Sequence, residues 1–217
     1  MPIDYTQYVR TNQFDNISYE LRDFVSENSP IEPIVHEEGV QNSVLIFEIV
    51  RRKVEWRETG DRIRNPKDVY DSKYGDCEDQ SILLASMIAA TRLLKHVRFV
   101  QLRLGPNEGH VFPEIGIELS IKDLDDVLES IEESYSAFLN EYIGHVSYRM
   151  EHNVGRFDTD IMWIPADTTC CQYLGDIDNP RDAGYVRGPS DNWRWNNVHD
   201  VKEVPERKIV ESHEYSR

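Results

Sequence analysis

Apolar residues recur at helical spacing in four stretches of the chain. Residues 17 to 27 place Ile17, Leu21, Phe24 and Val25 on one side, and Asn28-Ser29-Pro30 ends the pattern, with Pro33 keeping the next residues extended. From about Gln41 to Trp56, Phe47, Val50 and Val54 follow the same spacing with Ile46 and Ile49 beside them, and Gly60 and Pro66 then mark a polar loop. A third helix is expected from Asp76 to about Leu94. Asp76 follows Gly75 as an N-cap, and Asp79 three residues on outlines a capping box. The middle of this helix is apolar nearly all round, as in a helix packed on several sides. Only its first turn, Cys77-Glu78-Asp79-Gln80, is polar, so Cys77 stands where a buried helix reaches the surface. The fourth pattern runs from about Lys122 to Tyr142. Leu124, Val127, Leu128, Ile131, Tyr135, Phe138, Leu139 and Tyr142 form its stripe, with Asp125, Asp126, Glu129, Glu132 and Glu133 opposite. This helix is expected to pack on a sheet, its acidic face offering a surface to a protein partner.

Alternation replaces helical spacing in three places. Val97 to Leu104 is rich in strand formers and is followed by a connecting loop, Gly105 to Gly109. In the next strand Val111, Ile115, Ile117 and Leu119 oppose His110, Phe112 and Glu114, and Pro113 marks an edge or a bulge. A third strand, Ile161 to Asp167, sets Ile161, Trp163, Pro165 and Asp167 on one face. From Gly175 onward Gly, Pro, Asp and Asn dominate. The expectation is an α+β domain over residues 1–175, with a helical insertion at about 120–155. A loop-rich acidic tail over 176–217 follows, anchored by Trp193 and Trp195.

Composition narrows the function classes. Of 217 residues 39% are hydrophobic and 29% charged, which fits a globular protein and excludes a fully disordered one. The longest apolar runs fall well short of the ~20 residues a membrane helix needs. The first residues lack the basic start and apolar stretch of a signal peptide, so a cytoplasmic location is expected, or association with a virion. A net charge of −16 argues against nucleic acid or anionic lipid as a partner. Only seven of the 24 bases are lysine, and carboxylate excess with scarce lysine points to a halophile or a virus of one. Three cysteines, two of them adjacent, make no disulfide framework.

Cys77 is the first chemical candidate. A helix N-terminus favours thiolate over thiol, and the buried remainder of the helix is a rigid mount for a nucleophile. Its neighbours Asp76, Glu78 and Asp79 work the other way unless they are capped or point elsewhere. A thiol nucleophile needs a base, and the base an orienting acceptor. His110 at a strand start and Asp167 at a strand end meet that need if their strands flank the helix. Other constellations are weaker. Cys170 and Cys171 with His152 or His199 lack zinc spacing, and no metal or cofactor is expected. Asp176, Asp178, Asp182 and Asp191 depart from the calcium-loop pattern and read as a solvated acidic loop. No glycine-rich phosphate loop is present, and Tyr142, Tyr148 and Trp163 read as core.

Tyr74-Gly75-Asp76-Cys77-Glu78-Asp79-Gln80-Ser81-Ile82-Leu83-Leu84 resembles the nucleophile motif of the transglutaminase-like superfamily, in which Gly-Asp-Cys-x-Asp opens a central helix. Phe47-x-x-Val50-Arg51-x-x-Val54-x-Trp56 resembles the preceding helix, and Pro66-x-Asp68-Val69-Tyr70 the segment leading to the cysteine. Gly109-His110-Val111-Phe112-x-Glu114-Ile115 and Trp163-Ile164-Pro165-Ala166-Asp167-Thr168-Thr169 are similar to its histidine and aspartate strands. The resemblance covers roughly residues 15 to 172, in the type of member found in archaea and viruses. It implies a papain-like core, with a Cys-bearing central helix packed on an antiparallel sheet, and a catalytic Cys77, His110 and Asp167. The activity implied is acyl transfer on amide bonds of a protein or peptide through a thioester, by a peptidase or amidase rather than a cross-linker. The alternative is a non-catalytic structural or virion protein on the same scaffold. The 57 residues from His110 to Asp167 exceed the shortest members, and the long helix is expected beside the site, restricting its groove. One oxyanion donor is the Cys77 N–H, and the second is sought among Tyr70, Tyr74 and Trp56.

Overall fold

Two layers, helices against an antiparallel sheet, account for the hydrophobic pattern. The computed structural model describes residues 5–28, 39–60, 62–94, 96–103, 109–119, 124–152 and 159–176, and the backbone of 198–203. The helices are α1 (Ile17–Asn28), α2 (Gly39–Lys53), α3 (Pro66–Ser72), α4 (Cys77–Thr91) and α5 (Leu124–Leu139). A parallel pair, β1 (Glu55–Trp56) and β2 (Tyr74–Gly75), stands before α4. The main sheet holds β3 (His96–Arg103), β4 (Gly109–Glu118), β5 (Arg149–Glu151), β6 (Ile161–Pro165) and β7 (Val198–Glu203) in the order β5-β6-β4-β3-β7, all neighbours antiparallel. The expected α+β class holds. No described helix is long and apolar enough to cross a membrane.

Helix α4 is the centre of the core. Ile82 to Ala89 are buried throughout, because α4 lies between α2 on one side and β4 on the other. Register divides the sheet. Val97, Phe99, Val111, Ile115, Met162 and Ile164 join the core cluster with α4. The opposite face carries Arg98, His110, Phe112, Glu114 and Trp163.

Several expectations need correction. Helix α5 packs on α2 and α1, not on the sheet, whose helical face α4 already covers. The tie is polar: fully buried Glu48 of α2 accepts a hydrogen bond from the Tyr135 hydroxyl of α5 at 3.0 Å and pairs with Arg51 and Arg52 at 2.6 and 2.7 Å. Tyr135 also accepts from the Leu174 backbone N–H at 2.7 Å. Tyr142 is not core but 97% exposed, since α5 stops at Leu139 and Asn140 takes a left-handed φ of 52°. Trp163 is buried as expected. Helix α2 stops at Lys53, short of Trp56, because Glu55 leaves to bond the Lys73 carbonyl in the small parallel pair. Helix α4 ends at Thr91, where Arg92 turns left-handed at φ 61°.

Helix α3 occupies part of the expected polar loop, and its signals were local: Asn65 caps it by accepting from the Lys67 N–H, and Pro66 opens it. Strand β7 lies within the stretch expected as a loop-rich tail and pairs with β3 at the sheet edge. The indoles of Trp193 and Trp195 lie outside the described residues.

Candidate active site

The local structure around Cys77 begins with the close approach of strand β2 to the first turn of α4. A Cβ at Gly75 would stand 2.8 Å from Asp79 Cβ and 3.1 Å from Val69 Cγ1, so only glycine fits. Gly75→Ala should therefore displace the α4 N-terminus at a cost of about 1–3 kcal/mol. The check is thermal unfolding: the account expects Tm to fall by several degrees, and an unchanged Tm contradicts the close packing.

Asp76 is the N-cap expected of it. Its Oδ1 accepts the N–H groups of Glu78 and Asp79, both at 3.1 Å, and its carbonyl accepts that of Gln80 at 3.0 Å. The cap leaves the Cys77 N–H unused. The capping box is only half made, because Asp79 turns inward, where the Arg64 N–H and the Thr59 hydroxyl donate to it at 3.0 and 2.9 Å. Burial pushes the Asp79 carboxyl up, against the hydrogen bonds from Arg64 and Thr59. Glu78 accepts from the Tyr5 hydroxyl at 2.6 Å. The three carboxylates that argued against a reactive Cys77 are thus each engaged by a donor.

Two further bonds set helix against strand. Ser81 Oγ, one turn beyond Cys77, donates to the Val111 carbonyl at 2.9 Å, next to His110. Gln80 donates to the Gly75 carbonyl at 3.1 Å and accepts from the Thr168 hydroxyl at 3.0 Å, next to Asp167. Helix α4 is bonded to the immediate neighbours of both other candidates.

The β4–β6 register does the rest. Glu114 faces Pro165, and the Ala166 N–H bonds the Pro113 carbonyl at 2.9 Å, so the ladder runs past the end of β6. Continued two residues, it sets Asp167 level with Phe112 and diagonal to His110 on one face. His110 Nε2 lies 2.6 Å from Asp167 Oδ2. Asp167, almost fully buried, keeps its orientation because Oδ1 accepts the Thr169 hydroxyl at 2.7 Å and the Thr169 N–H at 3.1 Å. Asp167 itself lies just past the strand, which ends at Pro165.

His110 is hydrogen-bonded to Asp167, and Cys77 is among the side chains that act on its imidazole. Burial works against a charged imidazole, yet the Asp167 carboxylate, which accepts its hydrogen bond, with Cys170 and Cys77 adding to it, outweighs burial and holds His110 well above the ordinary histidine value. The structure thus brings His110 and Asp167 into contact and sets Cys77 near them at the start of α4.

Sequence reasoning missed Cys170, whose Sγ lies 4.0 Å from His110 Nε2 and 3.3 Å from Thr169 Oγ1. Among the described residues, His110, Asp167 and Cys170 bring ligating atoms within 4.8 Å of one another. Its sequence neighbour Cys171 is buried, and burial pushes that thiol well up. His152 pairs instead with Asp160 at 3.0 Å, and the His199 side chain lies outside the described residues. Asp176 is buried and accepts the Gln172 N–H at 2.9 Å, so it is no solvated acid, while Asp178, Asp182 and Asp191 lie outside the described residues.

Of the aromatic oxyanion candidates, Tyr70 is buried and its hydroxyl donates to Glu20. The Tyr74 ring lies between the guanidiniums of Arg57 and Arg64, at 4.3 and 4.4 Å. Trp56, paired with Gly75 beside the Cys77 turn, is 57% exposed. Compared with protein-family models, with curated proteins and with solved structures, the chain matches none of them.

Proposed function

We propose that this chain is a cysteine-dependent acyl-transfer enzyme with a papain-like, transglutaminase-like core, and that it acts on amide bonds of a protein or peptide. The observation that carries the reading is the position of His110, held through Nε2 by a buried, doubly anchored Asp167, with Cys77 among the groups that act on its imidazole. With Nε2 turned to Asp167, Nδ1 is the nitrogen left to take the Cys77 proton. The thiolate attacks the amide carbonyl carbon, and the Cys77 N–H, free of the cap, faces the developing oxyanion. The imidazolium returns its proton to the leaving amine, giving a thioester. Water then attacks with His110 as base, which makes the enzyme a peptidase or amidase; an amine in place of water would make it a cross-linker. Trp56 is the aromatic with its indole still exposed near this turn, and so the best-placed second donor.

A p-nitrophenyl ester tests this without knowledge of the natural substrate. The expected result is a stoichiometric burst of nitrophenol, with the acyl mass on the peptide containing Cys77. Absence of a burst, or an acyl group on another residue, contradicts the reading. Adding an amine nucleophile and weighing the product separates hydrolysis from transfer.

A further inference from the structure

We propose that His110, Asp167 and Cys170 form a binding site for a thiophilic divalent metal, zinc by its ligand chemistry, and that the bound metal turns off Cys77. Three donors of different kinds converge here: an imidazole Nε2, a carboxylate Oδ2 at 2.6 Å from it, and a thiol Sγ at 4.0 Å from it. Imidazole, thiolate and a single carboxylate suit zinc and exclude calcium or magnesium as the preferred ion. Tetrahedral coordination at ordinary zinc bond lengths needs about 3.6 Å between nitrogen and sulfur and about 3.4 Å between nitrogen and oxygen. The nitrogen–sulfur and nitrogen–oxygen separations are each within about 1 Å of these values: the thiol closes and the carboxylate withdraws. An outer shell is already present, since Thr169 holds the other carboxylate oxygen and touches the Cys170 sulfur. Cys170 is partly exposed, which gives the ion a way in.

Binding releases the Cys170 thiol proton to solvent and requires Nε2 to give up its hydrogen. A neutral imidazole metallated at Nε2 carries its hydrogen on Nδ1. His110 then stands beside Cys77 as a neutral imidazole, so Cys77 loses the imidazolium that favours its thiolate while the triad stays in place. The switch rests on the acyl-transfer reading of Cys77 and His110; the metal site does not.

The test uses the full chain stripped with a chelator and titrated with cobalt(II), whose thiolate charge-transfer band reports sulfur ligation. The band is expected in the protein and in Cys77→Ser, absent in Cys170→Ser, and displaced by zinc but not by magnesium or calcium. Zinc is further expected to slow Cys77 alkylation by at least about tenfold, and to leave the rate in Cys170→Ser independent of zinc. No band at millimolar cobalt, or a band that survives in Cys170→Ser and vanishes in Cys77→Ser, overturns the site. A normal band with unslowed alkylation overturns the switch alone, and ester turnover without zinc shows separately whether the acyl-transfer reading holds.

Discussion

Asp167→Ala should lower turnover of an acyl donor by about ten-thousandfold, the loss seen when the orienting carboxylate of such a triad is removed. The reason is local. Nε2 of His110 has the Asp167 oxygen at 2.6 Å, and that carboxylate is fixed by two bonds from Thr169. Without it the imidazole is free to turn, its tautomer is unspecified, and its charged form loses the neighbour that outweighs burial. Asp167→Asn divides these roles. An amide oxygen still accepts from Nε2–H, as in cysteine enzymes with an asparagine at this point, so orientation survives while charge is lost. The account therefore expects Asp167→Asn to fall between the protein and Asp167→Ala. Turnover of Asp167→Ala within tenfold of the unaltered protein, with unchanged Tm, would remove Asp167 from the mechanism.

The second large effect concerns stability. Arg98 is 1% exposed, and its Nε lies 2.5 Å from Oε2 of Glu114, itself fully buried. Its Nη1 donates to Glu151 at 3.0 Å, and its guanidinium carbon lies 3.8 Å from the centre of the Trp163 ring. Arg149 is the other cation on Glu114, at 3.0 Å. Burial pushes the Glu114 carboxyl up, against the pull of Arg98. Arg98→Ala takes away that pull and opens space under Trp163. Breaking one side of a buried pair costs about 3–5 kcal/mol, which for a chain of this size is a fall in Tm of roughly 10 °C. The double replacement Arg98→Met with Glu114→Gln leaves no buried charge stranded and should cost less than Arg98→Ala alone. A Tm shift of under about 2 °C for Arg98→Ala would mean that the network contributes little.

How far the sequence reveals this molecule follows from the range of each interaction. The α4 N-terminus was legible because its signals are local: Gly75, the Asp76 cap, and an apolar run behind a polar first turn. His110 and Asp167 were legible as strand ends, and only the resemblance linked them to Cys77. The packing of α5 on α2 was not legible, since an apolar stripe fits a helix as well as a sheet, and the buried Glu48 that receives Tyr135 looks like a surface residue in sequence. Arg98 of β3, Glu114 of β4 and the β5 pair Arg149 and Glu151 come from three strands and meet only through register. Cys170 was read beside Cys171, yet the turn after β6 sends one thiol to His110 and buries the other. Helix α3 was a missed opportunity, because Asn65-Pro66 is a local start signal. The setting of the acidic residues flanking Cys77 was hidden for a related reason: sequence shows their charge but not the donors that Thr59, Arg64 and Tyr5 supply.

Activation of Cys77 by His110 is the step on which the proposed chemistry depends. It can be read from the rate of iodoacetamide alkylation at neutral pH, with the modified residue identified by peptide mapping. A thiol beside an imidazolium is more often ionised than one alone, and thiolate is the reactive form. The account predicts that Cys77 is the residue modified first and that His110→Ala slows its alkylation by at least about tenfold. Equal rates with and without His110, in proteins of equal Tm, would contradict it.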